Sequence, residues 1–485
     1  MSDIEKNGGI DIPSKETQPV VAEADQNVLV DAALEKSILR KFDFLVLPQM
    51  MILTLLAYLD RSNIGNARVS GFEEGIGLHG TQFNNISSLF FVTYVIFEVP
   101  WVMAVKKWGA NKVLALALLS WSIITLCTGF IQNYAQAIAM RLLLGAAEAG
   151  LFPGLTFVIS ITWDRKDQGK RVCLLYMASA LSGAFGGLIA YAIQLMGERH
   201  NLESWRWLFI IEGIVSFIIG GIALFTMPQT PETAWFLNPK EKSIMQARKL
   251  RDAQYKGPDK FDWKYVRMAF SDPFVYATAI LLFASSIPLF GFSTFLPTIL
   301  SGLGHDGLQA NYLSIPCYIL AGLTLLFWTT LSDRLEKRAL FLLLAPIPCI
   351  LGYAIAIGTP NAAAGYAAMF LCAGGIYPYN ALLLTWVTNN LAPDYKRSVG
   401  MPLFTSLANI SGAISSQIYP SWEGPRYIMG NSVSLGMEGV ACLGVGSVWM
   451  LLRARDKRKE RLLGQGVSDN GFEGEDRGLG FRYTL

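Results

Sequence analysis

Long blocks of apolar residues, separated by short polar loops, run through most of this 485-residue chain. A helix needs roughly 17–25 mostly apolar residues to cross a bilayer, and the blocks are long enough. Because a helix satisfies its own backbone hydrogen bonds in hydrocarbon, we expect every block to be a transmembrane helix. The pattern predicts twelve spans, at about residues 44–64, 84–105, 112–131, 134–156, 172–195, 206–227, 274–299, 311–331, 339–357, 363–388, 398–419 and 433–453.

The predicted fold is therefore an all-α polytopic membrane protein. A polar stretch at residues 228–272 divides the spans into two sets of six. We interpret it as a cytosolic linker between an N-terminal half, residues 41–227, and a C-terminal half, residues 273–453. Residues 1–40 contain eight acidic and four basic residues and little apolar periodicity, so we expect a disordered cytosolic tail. Residues 454–485 are predicted to form a second cytosolic tail.

Short motifs in the two halves recur at nearly one offset. Three pairs of segments match, 225 to 227 residues apart: 150–154 with 375–379, 170–171 with 396–397, and 106–109 with 333–336. Chance explains one such match more easily than three. The matches predict two pseudo-repeated six-helix halves, the arrangement that supports alternating access around a site near the middle of the membrane.

The composition excludes several classes of protein. The chain is 52% hydrophobic and 16% charged, whereas a soluble domain is about 25% charged. Its net charge of +3 is too small to indicate a nucleic-acid partner. The six cysteines lie in apolar blocks without metal-ligand spacing, so we interpret them as small buried hydrophobic side chains. No catalytic triad or phosphate-binding pattern stands out, so we predict neither an enzyme nor a metal or other cofactor.

Lysine and arginine are concentrated in the loops on one side of the predicted membrane. These loops contain Lys106, Lys107, Lys112, Arg165, Lys166, Lys170, Arg171, Arg334, Lys337, Arg338, Lys396 and Arg397. Because positively charged loops tend to remain in the cytosol, both termini are predicted to be cytosolic.

Two pairs of charged residues lie inside the apolar blocks: Asp60 and Arg61 in the first span, and Arg141 and Glu148 in the fourth. Charges at bilayer depth are costly, and they are retained where they pair, face water or carry ions and substrates. The two spans run in opposite directions, which places Asp60, Arg61 and Arg141 at similar depth in the outer third. We expect an Asp60–Arg141 ion pair, which leaves Arg61 to bind a substrate carboxylate.

Glu148 follows Arg141 by two helical turns, so it lies on the same face about 10 Å deeper. Its neighbours are small or apolar, and no permanent partner is evident. Burial disfavours the charged form of such a carboxylate, so Glu148 is a candidate for taking up a proton on one side and releasing it on the other. The alternative is that the four charges form a buried network that only fixes helix packing.

Other polar residues in the spans carry weaker signals. For Glu98 we expect a gating or packing role, for Glu212 a structural role, and for Glu438 no role in the substrate site. Asn380 could bind a polar group of a substrate or form a packing hydrogen bond. Asn85 begins a glycosylation sequon, which lies close to the second span.

Several motifs resemble the major facilitator superfamily. The loop after span 8 looks like that superfamily's cytosolic gating motif, with Asp333, Arg334, Lys337 and Arg338. In the first-half copy, Lys106 stands in place of the usual aspartate. Residues 58–67 and 141–154 are similar to the anion:cation symporter family, and residues 227–237 are similar to its fungal allantoate permease branch. The resemblance covers about residues 40–455.

The resemblance implies the major facilitator fold and a role for each charged residue. Asp60 and Glu148 match positions implied in proton coupling, Arg61 a substrate-anion contact, Arg141 a partner of the acidic groups, and Tyr58 and Tyr94 tyrosines that line the cavity.

The sequence favours a proton-coupled importer of a small organic anion, such as nicotinate, pantothenate or allantoate, at the plasma membrane. Its ligands would be the anion and protons, its surroundings the lipid bilayer, and we expect a monomer. An exporter of a specialised metabolite by proton antiport is the alternative, because the sequence does not determine direction. A transporter-like receptor, which binds its ligand without accumulating it, is a third class.

Overall fold

The structure, a computed structural model, describes residues 32–256, 263–392, 394–467, 470 and 476–484. Most of the predicted N-terminal tail, and parts of the predicted linker and C-terminal tail, lie outside these residues. Within them the regular structure is helical, apart from one isolated β-bridge between Arg199 and Leu202.

Eleven α-helices form the N-terminal half and the linker, and eight form the C-terminal half, within the described residues. The first set is α1 (Ala32–Leu45), α2 (Leu47–Arg68), α3 (Phe72–Gly75), α4 (Gln82–Trp108), α5 (Ala110–Thr128), α6 (Tyr134–Glu148), α7 (Leu151–Thr162), α8 (Arg165–Met196), α9 (Ser204–Thr226), α10 (Pro239–Lys256) and α11 (Trp263–Phe270). The second set is α12 (Pro273–Gly302), α13 (Gly307–Leu335), α14 (Arg338–Leu344), α15 (Pro346–Gly358), α16 (Ala362–Asn390), α17 (Asp394–Asn409), α18 (Ser411–Ser415) and α19 (Ile428–Gly464).

Eleven helical segments of the described chain are long and apolar enough to cross a membrane. The remaining predicted span, residues 398–419, is present as two shorter helices, α17 and α18, which are separated at Ile410. Gly412 in α18 packs closely on the second span, because a Cβ atom there would lie 2.2 Å from the ring of Phe91. The prediction of an all-α polytopic membrane fold is therefore confirmed.

The helix α1 begins at Ala32, so residues 32–40 of the tail predicted to be disordered are helical. Ile38 and Phe42 are buried on one face of this helix. Lys41 Nζ lies 2.7 Å from Glu241 Oε1, which joins α1 to the linker helix α10. The hydropathy pattern does not predict α1, because the apolar stripe of this helix is short and is surrounded by charged residues.

The two halves use the same pairing of spans. In the N-terminal half α2 packs on α8, α4 on α6, and α5 on α9; in the C-terminal half α12 packs on α17, α13 on α16, and α15 on α19. In each half these are the first and fifth, second and fourth, and third and sixth spans. The repeated pairing agrees with the duplicated halves that the motif offsets predict.

The halves meet through α2 and α12, α4 and α18, and α8 with α13 and α16. At Gly65 a Cβ atom would lie 1.9 Å from the carbonyl oxygen of Thr294, so only glycine allows this approach. The Asn84 amide donates hydrogen bonds to the backbone carbonyls of Ser416 and Tyr419, at 2.5 and 3.1 Å. We call the end of the bundle that carries α1 and the C-terminal end of α19 the terminal face, and the other end the opposite face. The contacts at Gly65 and Asn84 lie near the opposite face, so the two halves are closed against each other at that end.

Residues 476–484 fold back against the terminal face of the C-terminal half. Lys396 is 1% exposed and donates to Asp272 and Asp476, at 2.5 and 2.8 Å. Arg455 also pairs with Asp272, at 2.8 Å. Burial alone would raise the pKa of Asp272, but the charges of Lys396 and Arg455 outweigh burial and hold this pKa at about 2. The cluster joins the first turns of α12 and α17 to α19.

Candidate substrate and proton site

Arg61 and Glu148 form a buried ion pair between α2 and the last residue of α6. Arg61 Nη2 donates to Glu148 Oε1, and the two residues are 8% and 1% exposed. The predicted Asp60–Arg141 pair is wrong, because these side chains form no ion pair within 4.0 Å. Adjacent helical residues point about 100° apart, so a modest rotation of α2 decides which of Asp60 and Arg61 faces Glu148.

Aromatic rings surround the Arg61 guanidinium. Its central carbon lies 4.7 Å from the ring centre of Tyr58, 4.8 Å from that of Tyr94 and 5.1 Å from that of Phe90. These distances are within the roughly 6 Å range of cation–π attraction. The structure thus brings both predicted tyrosines to Arg61. Phe90 was missed, although it lies one helical turn before Tyr94 on the same face of α4.

The ion pair leaves part of the donor and acceptor capacity of both side chains unused. Arg61 Nε and Glu148 Oε2 are buried and make no hydrogen bond. A guanidinium can donate five hydrogen bonds and binds a carboxylate best through two nitrogens. Arg61 is therefore held by Glu148 and the rings, but its binding capacity for a carboxylate is not exhausted.

A second group of buried charges lies beside the ion pair. Asp60, Arg141 and Glu212 are all buried, and Arg141 interacts electrostatically with Asp60, Glu148 and Glu212. The Asn63 amide donates to Glu212. Glu212 was given only a structural role from sequence, since nothing in its local motif indicates that α9 turns it toward α2 and α6.

The buried charges of this site do not balance. We call Asp60, Arg61, Arg141, Glu148 and Glu212 the charged site; it contains three carboxylates and two guanidiniums. With all five ionised, its net charge would be −1. An uncompensated buried charge is expensive in a low-dielectric interior, so the charged site favours binding of a proton.

Glu98 lies on the terminal side of this site, at the junction between the halves. It is buried and accepts hydrogen bonds from Thr405 at 3.4 Å and from Asn409 at 3.3 Å, both on α17. It also interacts electrostatically with Arg61. Contacts between the halves therefore lie on both sides of Arg61, with Gly65 toward the opposite face and Glu98 toward the terminal face.

Asn380 is engaged in packing within the C-terminal half. Its amide nitrogen donates to Ser285 Oγ at 3.0 Å and to the Ile376 carbonyl at 2.9 Å, and its oxygen accepts from Ser286 at 3.4 Å. This geometry favours the packing alternative for Asn380 over direct binding of a substrate.

The loop between α13 and α14 contains the residues that resemble a gate. Arg338 Nη2 lies 2.8 Å from Asp333 Oδ1, while Arg334 and Lys337 are exposed. This ion pair joins the end of α13 to the start of α14.

Asn85 lies in the first turn of α4 and is held by both halves. Its amide donates to the Tyr134 hydroxyl at 3.3 Å and accepts a hydrogen bond from Gln417 at 3.1 Å. A glycan on Asn85 would have to replace these bonds, so this geometry disfavours use of the sequon. Among the described residues, no group of three or more His, Cys, Asp or Glu side chains could hold a metal ion.

Comparison with known proteins places this site in a family. Residues 50–416 match the family model for the Major Facilitator Superfamily. An uncharacterized transporter of Schizosaccharomyces pombe is 40% identical over 94% of this chain and 91% of the relative. The high-affinity nicotinic acid transporter of Saccharomyces cerevisiae is 32% identical over 88% of this chain and 80% of the relative.

Solved structures share the fold at much lower identity. A bacterial homolog of the human lysosomal transporter Spinster, in an inward-facing and unoccupied conformation, matches with a TM-score of 0.63 at 16% identity. The match covers 86% of this chain and 96% of that chain. The chain belongs to the major facilitator superfamily, and its fungal relatives agree with the organic-anion branch that its motifs resemble. It is a multi-pass membrane transporter of a small molecule and not an enzyme.

Proposed function

We propose that this transporter carries a small organic carboxylate together with a proton across the plasma membrane into the cytosol, with both termini cytosolic. The observation that supports this most directly is the buried Arg61–Glu148 ion pair. A buried guanidinium is a site for a carboxylate, and the group that occupies it here is itself a carboxylate that can be neutralised by a proton.

Competition for Arg61 couples the two ligands. While Glu148 is ionised, a substrate carboxylate that binds Arg61 would leave Glu148 as an uncompensated buried charge, which is strongly unfavourable. Protonation of Glu148 removes this charge, and the substrate carboxylate then takes its place beside Arg61. The transporter therefore binds proton and anion together, which is the requirement for symport.

The remaining charged residues extend this coupling. Arg141 interacts with Asp60, Glu148 and Glu212. When one of these carboxylates is protonated, Arg141 therefore stabilises the ionised form of the others more strongly. The negative excess of the charged site favours proton uptake. We assign Asp60 and Glu148 to proton coupling, with Glu212 as an additional carboxylate and Arg141 as their shared partner.

Transport follows from alternating contact between the halves. The substrate reaches Arg61 from one face when the contacts on that side open, and it leaves toward the other when those contacts have closed. Gly65 contributes to closure toward the opposite face and Glu98 to closure toward the terminal face. The loop that contains Asp333 and Arg338 is assigned to the terminal gate.

The aromatic rings around Arg61 favour a flat substrate. Tyr58 is only half-buried, so the ring of aromatic side chains around Arg61 is partly open on that side. An aromatic carboxylate could place its ring against Tyr58 and its carboxylate at the guanidinium. The related nicotinic acid transporter makes nicotinate the first compound to test, and nicotinamide, which has the same ring but no charge, is its control.

The test is uptake of radiolabelled carboxylates into proteoliposomes with and without an inward proton gradient. We expect the gradient to drive accumulation of nicotinate or a related carboxylate, and an uncoupler to abolish it. Nicotinamide should not accumulate. Efflux driven against the direction of proton flow would instead establish antiport and reject the symport proposal.

A further inference from the structure

A polar pocket at the opposite face lies beyond Arg61 on the same helix. Arg68 follows Arg61 by seven residues, so it lies on the same face of α2 and about 10 Å farther along the helix. The pocket has a volume of about 520 Å³, within the roughly 300–1,000 Å³ of small-molecule sites. Both halves contribute to it, with Arg68, Glu73, Thr298, Ser301, Ser421 and Tyr427 among its lining residues.

Arg68 is fixed in this pocket but is not saturated. Its Nε lies 3.0 Å from Glu73 Oε1, and its Nη2 donates to Ser421 Oγ at 2.7 Å. The ring of Phe83 packs on the guanidinium at 4.4 Å. Arg68 Nη1 is buried and makes no hydrogen bond. One edge of a fixed guanidinium is therefore available to an acceptor.

Thr298 supplies a second unused donor from the other half. Its hydroxyl is buried without a hydrogen-bond partner, and the residue is 7% exposed. A buried donor without a partner is unfavourable, and a ligand that accepts from it gains that energy. Arg68 and Thr298 together offer two donors to one ligand, and a carboxylate has two oxygens that match them.

The acidic residues nearby do not cancel this attraction. Glu73 is already paired with Arg68, and Glu74 is exposed, where hydration and salt screen its charge. The lining hydroxyls of Ser301 and Tyr427 are neutral and can donate hydrogen bonds.

We propose that the pocket around Arg68 and Thr298 is a second binding site for the substrate, in which a small carboxylate binds before or after it occupies Arg61. The choice of a carboxylate substrate rests on the proposed function. Two guanidiniums on one face of α2, each paired with a glutamate, form consecutive binding positions about 10 Å apart along the transport path. The position at Arg68, near the opposite face, binds the carboxylate weakly, because Glu73 already occupies part of the Arg68 guanidinium.

The test measures the charge of the pocket directly, without transport. Ser301→Cys places a thiol in the lining, and the purified protein is labelled with an anionic sulfonatoethyl or a cationic trimethylammonium-ethyl thiosulfonate reagent. Each rate is normalised to the reaction of that reagent with a free thiol. We expect Arg68→Gln to lower the ratio of anionic to cationic labelling several-fold, because it leaves Glu73 and Glu74 as the charged residues of the lining. The chain without Ser301→Cys corrects for Cys127, which is exposed.

Arg199→Gln is the matched control, because Arg199 is an exposed arginine in a loop of the opposite face but outside the pocket. It should leave the ratio of anionic to cationic labelling unchanged. An equal ratio in Arg68→Gln and Arg199→Gln would overturn the proposal. Nicotinate should slow labelling of the Ser301→Cys protein, whereas nicotinamide should not.

Thr298→Val provides a second variant if Arg68→Gln does not fold. It removes only the hydroxyl, and we expect it to weaken the protection of the Ser301→Cys thiol by nicotinate several-fold. Unchanged protection would reject the pocket as a binding site. The two proposals can fail separately. Arg68-dependent protection without nicotinate uptake would support the pocket and reject nicotinate transport. Proton-driven nicotinate uptake together with labelling that does not depend on Arg68 would support the transport proposal and reject the pocket as a binding site.

Discussion

Replacement of Glu148 by glutamine should remove the pH dependence of substrate binding. In the parent, a carboxylate binds Arg61 only when a proton neutralises Glu148, because both residues are buried and poorly screened by solvent. Wherever Glu148 is ionised in the free protein, binding therefore takes up one proton. The dissociation constant should rise tenfold per pH unit, about 1.4 kcal/mol, and about a hundredfold over two units.

Glutamine resembles protonated glutamic acid in size and is neutral at every pH. The Glu148→Gln variant should bind with nearly the affinity of the parent at low pH, and this affinity should not change as the pH rises. Binding of radiolabelled nicotinate to protein in nanodiscs, across about two pH units, measures both slopes. Exchange of substrate across the membrane should persist, whereas proton-driven accumulation should be lost.

Glu438→Gln is the matched control for this experiment. Glu438 is also a fully buried glutamate, but it lies on α19 in the other half and forms no ion pair among the described residues. Its replacement should retain the slope of the parent. A parent with no pH slope, or a Glu148→Gln variant that keeps the slope, would refute the competition between Glu148 and substrate for Arg61.

Three further changes test other parts of the structure. Arg61→Lys keeps the charge but loses the planar fork, so nicotinate binding should weaken by about 1.5–3 kcal/mol, roughly tenfold to a hundredfold, in the same assay; unchanged affinity would contradict bidentate binding. Gly65→Ala places a methyl group against the other half and should abolish uptake, whereas Gly221→Ala, which meets nothing within 4 Å, should not; normal uptake by Gly65→Ala would count against closure at that contact. Lys396→Met leaves buried carboxylates without their partner and should lower stability by about 3–5 kcal/mol, seen as a lower Tm. Because the pKa of Asp272 is held at about 2, this carboxylate should stabilise the fold fully above about pH 4, and its stabilisation should be lost as the pH falls toward 2. A difference in Tm between the parent and Lys396→Met that stays constant across that range would contradict this role of Asp272.

The spans could be predicted from sequence because their signal is long and local. Twenty apolar residues are hard to place outside a bilayer, and most span boundaries need no tertiary information. The exception is the span at residues 398–419, where the break at Ile410 depends on how α17 and α18 pack against α4. α1 was missed for a related reason, since its docking on α10 involves residues 200 positions apart.

The composition of the charged site was only partly predictable. Buried charges in Asp60, Arg61, Arg141 and Glu148 are evident from sequence, because charge inside an apolar block has few explanations. Which arginine pairs with which acid depends on the rotation of α2 and α6 about their axes, and hydropathy carries no information on that rotation. Glu212 joins the site for the same kind of reason, through a hydrogen bond from Asn63 on another helix.

The most direct test of proton–carboxylate symport is whether the carboxylate and the proton move in the same direction. Nicotinate is added to the outside of proteoliposomes that contain a trapped pH indicator and no initial pH gradient. If proton and carboxylate move together, the lumen should acidify as nicotinate enters, faster than in protein-free liposomes and faster than with Glu148→Gln. Alkalinisation of the lumen, or nicotinate uptake with no protein-dependent change of pH, would contradict it.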